Sequence, residues 1–255
     1  MTMSVSGKHT LVTGGGSGIG ATIALALAEA GATVTICGRR RQQLDETAAR
    51  HKNIHAETAD VTDQKSLAKL YERAQAAHGT FDIVVANAGG AQSAPAEKIS
   101  AELWTKTLNV NLTGAFFSVQ PALNGMRAKK WGRIVFIAST AGIRAAPYIA
   151  PYVAAKHGVI GLMRTLALET AKDGITVNAV CPSYTETPML EQAVARIVAT
   201  TKRSEADARA TLAARNPQGR FITPREVADT VLWLCTEGAA SITGQAISLS
   251  GGETW

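Results

Sequence analysis

The sequence predicts an α/β, doubly wound domain, with about seven parallel strands in one sheet and helices on both faces. Three observations carry that prediction. Short apolar, β-branched runs alternate with longer stretches of helical character, and a glycine-rich loop follows the first run. The 255 residues also pass without a linker, a low-complexity tract or an internal repeat.

The strands are expected at 10–13, 32–37, 54–59, 81–86, 133–138, 176–180 and 246–249. Near-continuous apolar runs of this kind suit strands covered on both faces. The helices are expected at about 18–30, 40–51, 63–78, 100–128, 151–173 and 224–236. Together these elements use up the chain, so residues 1–255 are expected to form a single domain. Residues 184–220 break the alternation with an amphipathic run from Met189 to Asn216. Ligands of open α/β sheets bind beyond the carboxyl ends of the strands. This insertion is therefore expected to be a helical lid over substrate, or else a surface hairpin that only packs.

Composition narrows the class. With 46% hydrophobic and 18% charged residues, the chain is neither disordered, collagen-like nor a coiled coil. Cys37, Cys181 and Cys235 are odd in number, far apart and flanked by apolar residues, so they read as reduced core thiols. The five histidines show no metal-ligand spacing, and no metal is expected. No apolar stretch approaches the roughly 18 residues of a membrane span, and the first residues lack a signal-peptide pattern. A cytoplasmic protein with no membrane partner is expected. The net charge is +6, yet no basic run is interleaved with aromatic residues, so a nucleic-acid partner is not expected. Attraction to phosphate-bearing small molecules or to an acidic partner fits the charge as well.

The glycine loop is Thr13-Gly14-Gly15-Gly16-Ser17-Gly18-Ile19-Gly20, placed between the first strand and the first helix. Backbone N–H groups at a helix N-terminus, with no Cβ in the way, approach a pyrophosphate closely. Gly14, Ser17, Gly18, Ile19 and Gly20 are thus candidate dinucleotide contacts. The second strand ends Cys37-Gly38-Arg39, with Gly38 where a 2′-hydroxyl-binding acid usually stands. Arg39 suits a 2′-phosphate, so NADP(H) is expected over NAD(H), unless the arginines merely form a solvated helix face.

Tyr152 and Lys156 stand one helical turn apart on one face. Alone, a YxxxK spacing arises by chance in roughly one such chain in six. Its company is more telling: the glycine loop, Asn87-Ala88-Gly89, Asn111, Ser139, Tyr152 and Lys156 occur in that order. With these residues the chain resembles the short-chain dehydrogenase/reductase family, in its compact single-domain branch of Rossmann type, from Lys8 to Gly252.

The resemblance implies a function for each match. Asn111, Ser139, Tyr152 and Lys156 match the catalytic tetrad. Asp60-Val61 is similar to the adenine-contacting pair, and Asn87-Ala88-Gly89 to the sheet-stabilising motif beside the cofactor. Pro182 to Thr187, with Thr185 and Thr187, resembles the segment that contacts the nicotinamide amide; Tyr152 and Lys156 also face the cofactor. Ala86 and Ser183 depart from the pattern, standing for an Asn and a Gly. The second departure is expected to alter loop geometry rather than chemistry.

In the chemistry so implied, Tyr152 gives a proton to a carbonyl oxygen in reduction, or takes one in oxidation. A phenol near pKa 10 lies about three units too high for a base at neutral pH, and Lys156, helped by the positive nicotinamide ring of the oxidised cofactor, is expected to stabilise the tyrosinate. Ser139 donates to the substrate oxygen, and Asn111 resembles the residue that holds a water behind Lys156.

Tracts around VNLTG, GRIVFIAST and GITVNAVCP are similar to those of 3-oxoacyl-thioester and polyketide ketoreductases. The expected reaction is NADPH-dependent reduction of a 3-oxoacyl thioester or similar ketone, on a small molecule, a CoA ester or an acyl-carrier thioester. Two alternatives stand beside it: oxidation of a secondary alcohol or 3-hydroxyacyl-CoA, and dinucleotide binding without turnover. Arg127, Lys129, Lys130, Arg133 and Lys172, with Lys202, Arg203 and Arg209 of the lid, are expected either to steer an acidic thioester partner or to be ordinary solvated faces. Family likeness implies a homotetramer.

Overall fold

The computed structural model describes residues 3–254. Seven strands form one wholly parallel sheet: β1 (His9–Thr13), β2 (Thr33–Gly38), β3 (Ile54–Thr58), β4 (Ile83–Ala86), β5 (Gly132–Ile137), β6 (Ile175–Pro182) and β7 (Ala246–Leu249). Their spatial order is β3-β2-β1-β4-β5-β6-β7. The order reverses direction between β1 and β4, and the crevice at such a switch point is where doubly wound sheets bind ligands.

Two apolar layers hold the sheet. On one face Val34, Ile36, Val85 and Val180 pack against Ile23 and Leu27 of α1 (Gly18–Glu29) and against the late helix Pro224–Cys235. On the other, Leu11, Phe81, Val84, Phe136 and Val177 pack against α3 (Gln64–His78) and the long helix Ala150–Thr170. Alternate residues of each strand feed opposite layers, so the strands read as continuous apolar runs. A short helix, α2 (Arg41–Ala48), follows β2.

One expected helix is broken. The span 100–128 forms α4 (Ala101–Leu108), a π turn at Asn109–Thr113, α5 (Gly114–Val119), a 3₁₀ turn at Gln120–Ala122 and α6 (Leu123–Lys129). Pro121 lacks the N–H that would continue the ladder and accounts for the 3₁₀ turn. The π turn coincides with Asn111, whose side chain competes for backbone partners and widens the turn. Val119, at the end of α5, is fully buried.

The long helix Ala150–Thr170 is α7. The insertion after β6 is helical, as expected, with α8 (Pro188–Thr201) and α9 (Glu205–Ala213); α10 (Pro224–Cys235) follows. Leu190, Val194, Ala208 and Leu212 give the insertion a core of its own, to which Tyr184 and Phe221 add. Its two ends meet in a short parallel bridge: Ile222 N–H donates to Tyr184 O and Glu186 N–H to Ile222 O, both at 2.9 Å.

Candidate functional site

The glycine loop is fastened to β4 before any ligand is considered. Thr13 Oγ1 accepts the N–H groups of Asn87 and Ala88, each at 3.0 Å. Asn87 Nδ2 donates to Thr13 O at 2.9 Å and to Gly14 O at 3.3 Å. Gly14 sits at φ +67°, in the left-handed region. A Cβ on Gly20 would overlap the Gly14 carbonyl oxygen and Asn87 Nδ2. Ser17 occupies the N-cap of α1 without a side-chain capping bond. The first amides of α1 thus face a surface stripped of side chains, which fits the pyrophosphate of a dinucleotide.

At the end of β2, Arg39 is exposed and has no ion-pair partner among the described residues, whereas Arg41 is held by Asp45 at 2.9 Å. Asp60 Oδ1 accepts the Thr62 N–H at 2.9 Å and its hydroxyl at 2.8 Å. Burial pushes the Asp60 carboxyl up, but those two bonds and the Arg39 charge outweigh it and hold the pKa low. Val61 is buried against Gly114 of α5, where a Cβ would lie 2.8 Å from its Cγ2.

The four tetrad positions converge at the carboxyl end of the sheet. Ser139 stands just past β5 and caps a 3₁₀ turn, accepting the Ala141 N–H at 3.1 Å; its hydroxyl lies 3.5 Å from Pro182 O. Tyr152 is half-buried on the first turns of α7, which Pro151 opens. Burial pushes the Tyr152 phenol up to about 12, against the pull of the adjacent Ser139 hydroxyl. Lys156 is 4% exposed; its Nζ donates to Ile137 O at 2.7 Å and lies 5.5 Å from the centre of the Tyr152 ring. Burial lowers the ammonium to about 8. Burial acts on both groups, and Lys156 spends its short contact on a backbone carbonyl.

Asn111, also buried, braces the loop after β4. Its Nδ2 donates to Gly90 O and Thr107 O, each at 2.9 Å, and its Oδ1 accepts the Gly90 N–H at 3.1 Å. A Cβ on Gly89 would press on that same oxygen at 2.6 Å.

The segment after β6 closes the site from the far side. Thr185 Oγ1 donates to Ser183 O at 3.0 Å and Thr187 Oγ1 to Thr185 O at 3.1 Å, folding Pro182–Thr187 onto itself. Thr187 reaches α1, where a Cβ on Gly18 would come within 3.3 Å of its Cγ2. Two contacts escaped sequence reasoning. Arg196 of α8 donates to the Ser93 carbonyl, bridging the insertion to the loop after β4. Tyr148, 65% exposed, holds φ +67° while its carbonyl accepts the Ala94 N–H at 2.8 Å. Neither pairing has a local spacing that announces it.

The basic cluster sits elsewhere. Arg127, Lys129, Lys130, Arg133 and Lys172 gather around the amino ends of β5 and β6, the end opposite the tetrad. Arg127 and Lys130 pair with Asp173, Lys129 with Asp82, Arg133 with Glu237, and Arg209 of the insertion with Glu191. A carboxylate paired with a cation shortens its reach into solvent, while Lys172 has no ion-pair partner among the described residues.

This crevice, with a stripped helix N-terminus on one side and a serine, tyrosine and lysine on the other, defines a dinucleotide-dependent oxidoreductase. The chain belongs to the short chain dehydrogenase family, whose model matches residues 8–197. It is 37% identical over 254 residues to D-beta-hydroxybutyrate dehydrogenase of Rhizobium meliloti, covering 97% of this chain and 98% of the relative. It is 35% identical over 254 residues to 3-oxoacyl-acyl-carrier-protein reductase of Thermotoga maritima, covering 98% and 99%. Among solved structures, a tryptophan variant of actinorhodin polyketide ketoreductase with NADPH superposes at TM-score 0.94, with 37% identity over 99% of this chain and 98% of that one. The protein is an NAD(P)-dependent oxidoreductase acting on C=O and CH–OH groups. No helix among the described residues is long and apolar enough to cross a membrane.

Proposed function

We propose that this chain is an NADPH-preferring ketone reductase acting on a 3-oxoacyl thioester or a similar ketone, with Tyr152 as the general acid. One observation carries the role of Tyr152: its phenol is packed beside Ser139 and burial pushes it up to about 12. Near neutral pH such a phenol keeps its proton and is a donor.

When bound, the reduced nicotinamide supplies hydride. The side chains of this protein do the rest. The Ser139 hydroxyl donates to the carbonyl oxygen and stabilises charge developing there. Tyr152 Oη delivers its proton to that oxygen. Lys156, fixed by Ile137 O, places an ammonium behind the phenol and stabilises the tyrosinate left behind. Asn111 keeps the loop after β4 in register with this group. Gly14, Ser17, Gly18, Ile19 and Gly20 would hold the pyrophosphate, Asp60, Val61, Asn87, Ala88 and Gly89 the adenosine side, and Pro182, Thr185 and Thr187 the nicotinamide side.

Three finer assignments belong to the same reading. The unpaired Arg39 beside Gly38 supports recognition of a 2′-phosphate, hence NADPH. The reductase and ketoreductase relatives support a thioester substrate, free or on a carrier. Exposed Trp104, Leu168 and Trp233, with β7 as an edge strand, support a homotetramer. Three free, buried cysteines suit the cytoplasm, and α8–α9 act as the substrate lid. The test follows absorbance of reduced nicotinamide with acetoacetyl-CoA. Consumption of NADPH well ahead of NADH is expected; consumption of neither, with turnover of secondary alcohols and NAD instead, overturns the reading.

A further inference from the structure

The turn that follows β7 touches both ends of the lid. At the lid's entry, Glu253 lies with its side chain 5% exposed; Ser183 Oγ donates to its Oε2, and the Arg144 guanidinium stands 3.4 Å from its Oε1. Arg144 also donates to the Glu253 backbone carbonyl at 3.4 Å. At the exit, Asn216 is 3% exposed and closes its own turn, with Nδ2 donating to Arg220 O and Oδ1 accepting the Gln218 N–H, each at 2.9 Å. Asn216 presses so closely on Gly251 that a Cβ there would overlap its amide. The two ends are tied to each other by the Tyr184–Ile222 bridge, so the lid leaves and re-enters over one base.

We infer that this turn is the seat of the lid and that Glu253 is a positioning residue for the reaction. Its carboxylate ties three segments together: the stretch after β6 that holds Thr185 and Thr187, the stretch from Ser139 to Tyr152 through Arg144, and the turn itself. Ser183, which departs from the glycine expected at that place, supplies the hydroxyl that Glu253 accepts. A buried carboxylate with one hydroxyl and one guanidinium fixes both partners, and losing it leaves each free to move. The tetrad does not touch Glu253, so the loss falls on the walls of the site and not on its proton donors.

The inference rests on the ketone-reductase reading, and its test separates the two. Glu253→Ala is expected to raise the KM for ketone about tenfold and to weaken NADPH binding several-fold, with kcat changed by no more than about twofold. Ser183→Ala is expected to reproduce part of the rise and to add nothing in the Glu253→Ala background. Glu253→Gln, which keeps an acceptor for Ser183 and loses the charge facing Arg144, is expected to fall between and serves where the alanine variant does not fold. Unchanged KM and unchanged NADPH affinity in all three variants, with only the melting temperature lowered, overturns the inference. NADPH binding, read by its fluorescence, tests the seat even where wild-type protein turns over no ketone, a result that would count against the reductase reading alone.

Discussion

Asn111 and Gly90 are joined by a reciprocal pair of hydrogen bonds, amide to carbonyl at 2.9 Å and backbone N–H to Oδ1 at 3.1 Å. A third bond, to Thr107 O, anchors the same side chain in the π turn. Asn111→Ala removes all three inside a buried pocket. The expected cost is about 2–3 kcal/mol, a fall in melting temperature of about 5–10 °C, and a loss in kcat/KM of tenfold or more as the loop after β4 drifts. Thermal denaturation and steady-state kinetics on the purified variant check both figures.

The pH profile of ketone reduction follows from the two groups on α7. Lys156 loses its proton as pH rises through about 8, while Tyr152 keeps its own until about 12. Stabilisation of the developing tyrosinate is therefore present below about 8 and fades above it. The expected kcat/KM is level near neutrality and declines by one proton's slope on the alkaline side. In Lys156→Arg the cation persists to high pH, so a slower variant without the limb near 8 is expected. A limb unmoved by that substitution assigns it to another group.

Arg39 should govern cofactor choice. Arg39→Glu is expected to raise the KM for NADPH by ten- to a hundredfold while leaving NADH within about threefold, since only the former carries the 2′-phosphate. Parallel kinetics with the two cofactors read this directly, and an equal loss for both would place Arg39 in general packing.

Acid should weaken the fold through His9, at the far end of the sheet from the tetrad. Its Nδ1–H donates to Gly79 O at 2.7 Å and its Nε2 accepts the Thr35 hydroxyl at 3.0 Å, a pattern that holds the ring neutral. Burial lowers its pKa from 6.5 to about 4, with His78 adding to the effect and the Gly79 bond opposing it. The unfolded chain thus binds a proton in this window that the folded chain does not. The stability His9 contributes is complete above pH 6.5 and is lost as pH falls toward about 4, a decline of up to about 3 kcal/mol. Denaturant melts across that range are expected to show it, with a shallower slope in His9→Gln.

Much of this was legible in the residues themselves. Continuous apolar runs such as Ile134 to Ile137 place strands because both faces of a parallel sheet are covered, and every expected strand is present within a residue or two. Tyr152 and Lys156 share a face because four residues make about one turn, and the glycine loop needs no tertiary context to be seen. What stayed hidden depends on partners distant in sequence. The Asn111 side chain is bonded to Gly90, twenty-one residues away, and the Ser183–Glu253 contact spans seventy. The upward shift of Tyr152 comes from burial, which spacing does not encode. The carboxylate partners of the basic cluster, Asp82, Asp173 and Glu237, were hidden in the same way, because they lie far from it in sequence.

The central claim is that Tyr152 Oη supplies the proton to the substrate oxygen. The most direct measurement compares wild-type protein with Tyr152→Phe, following NADPH consumption with a ketone substrate and, separately, NADPH binding by fluorescence. Removing one hydroxyl from a half-buried ring leaves the glycine loop untouched, so binding within about threefold of wild type is expected while turnover falls by a thousandfold or more. Turnover retained within tenfold in a variant that still binds NADPH would contradict the account.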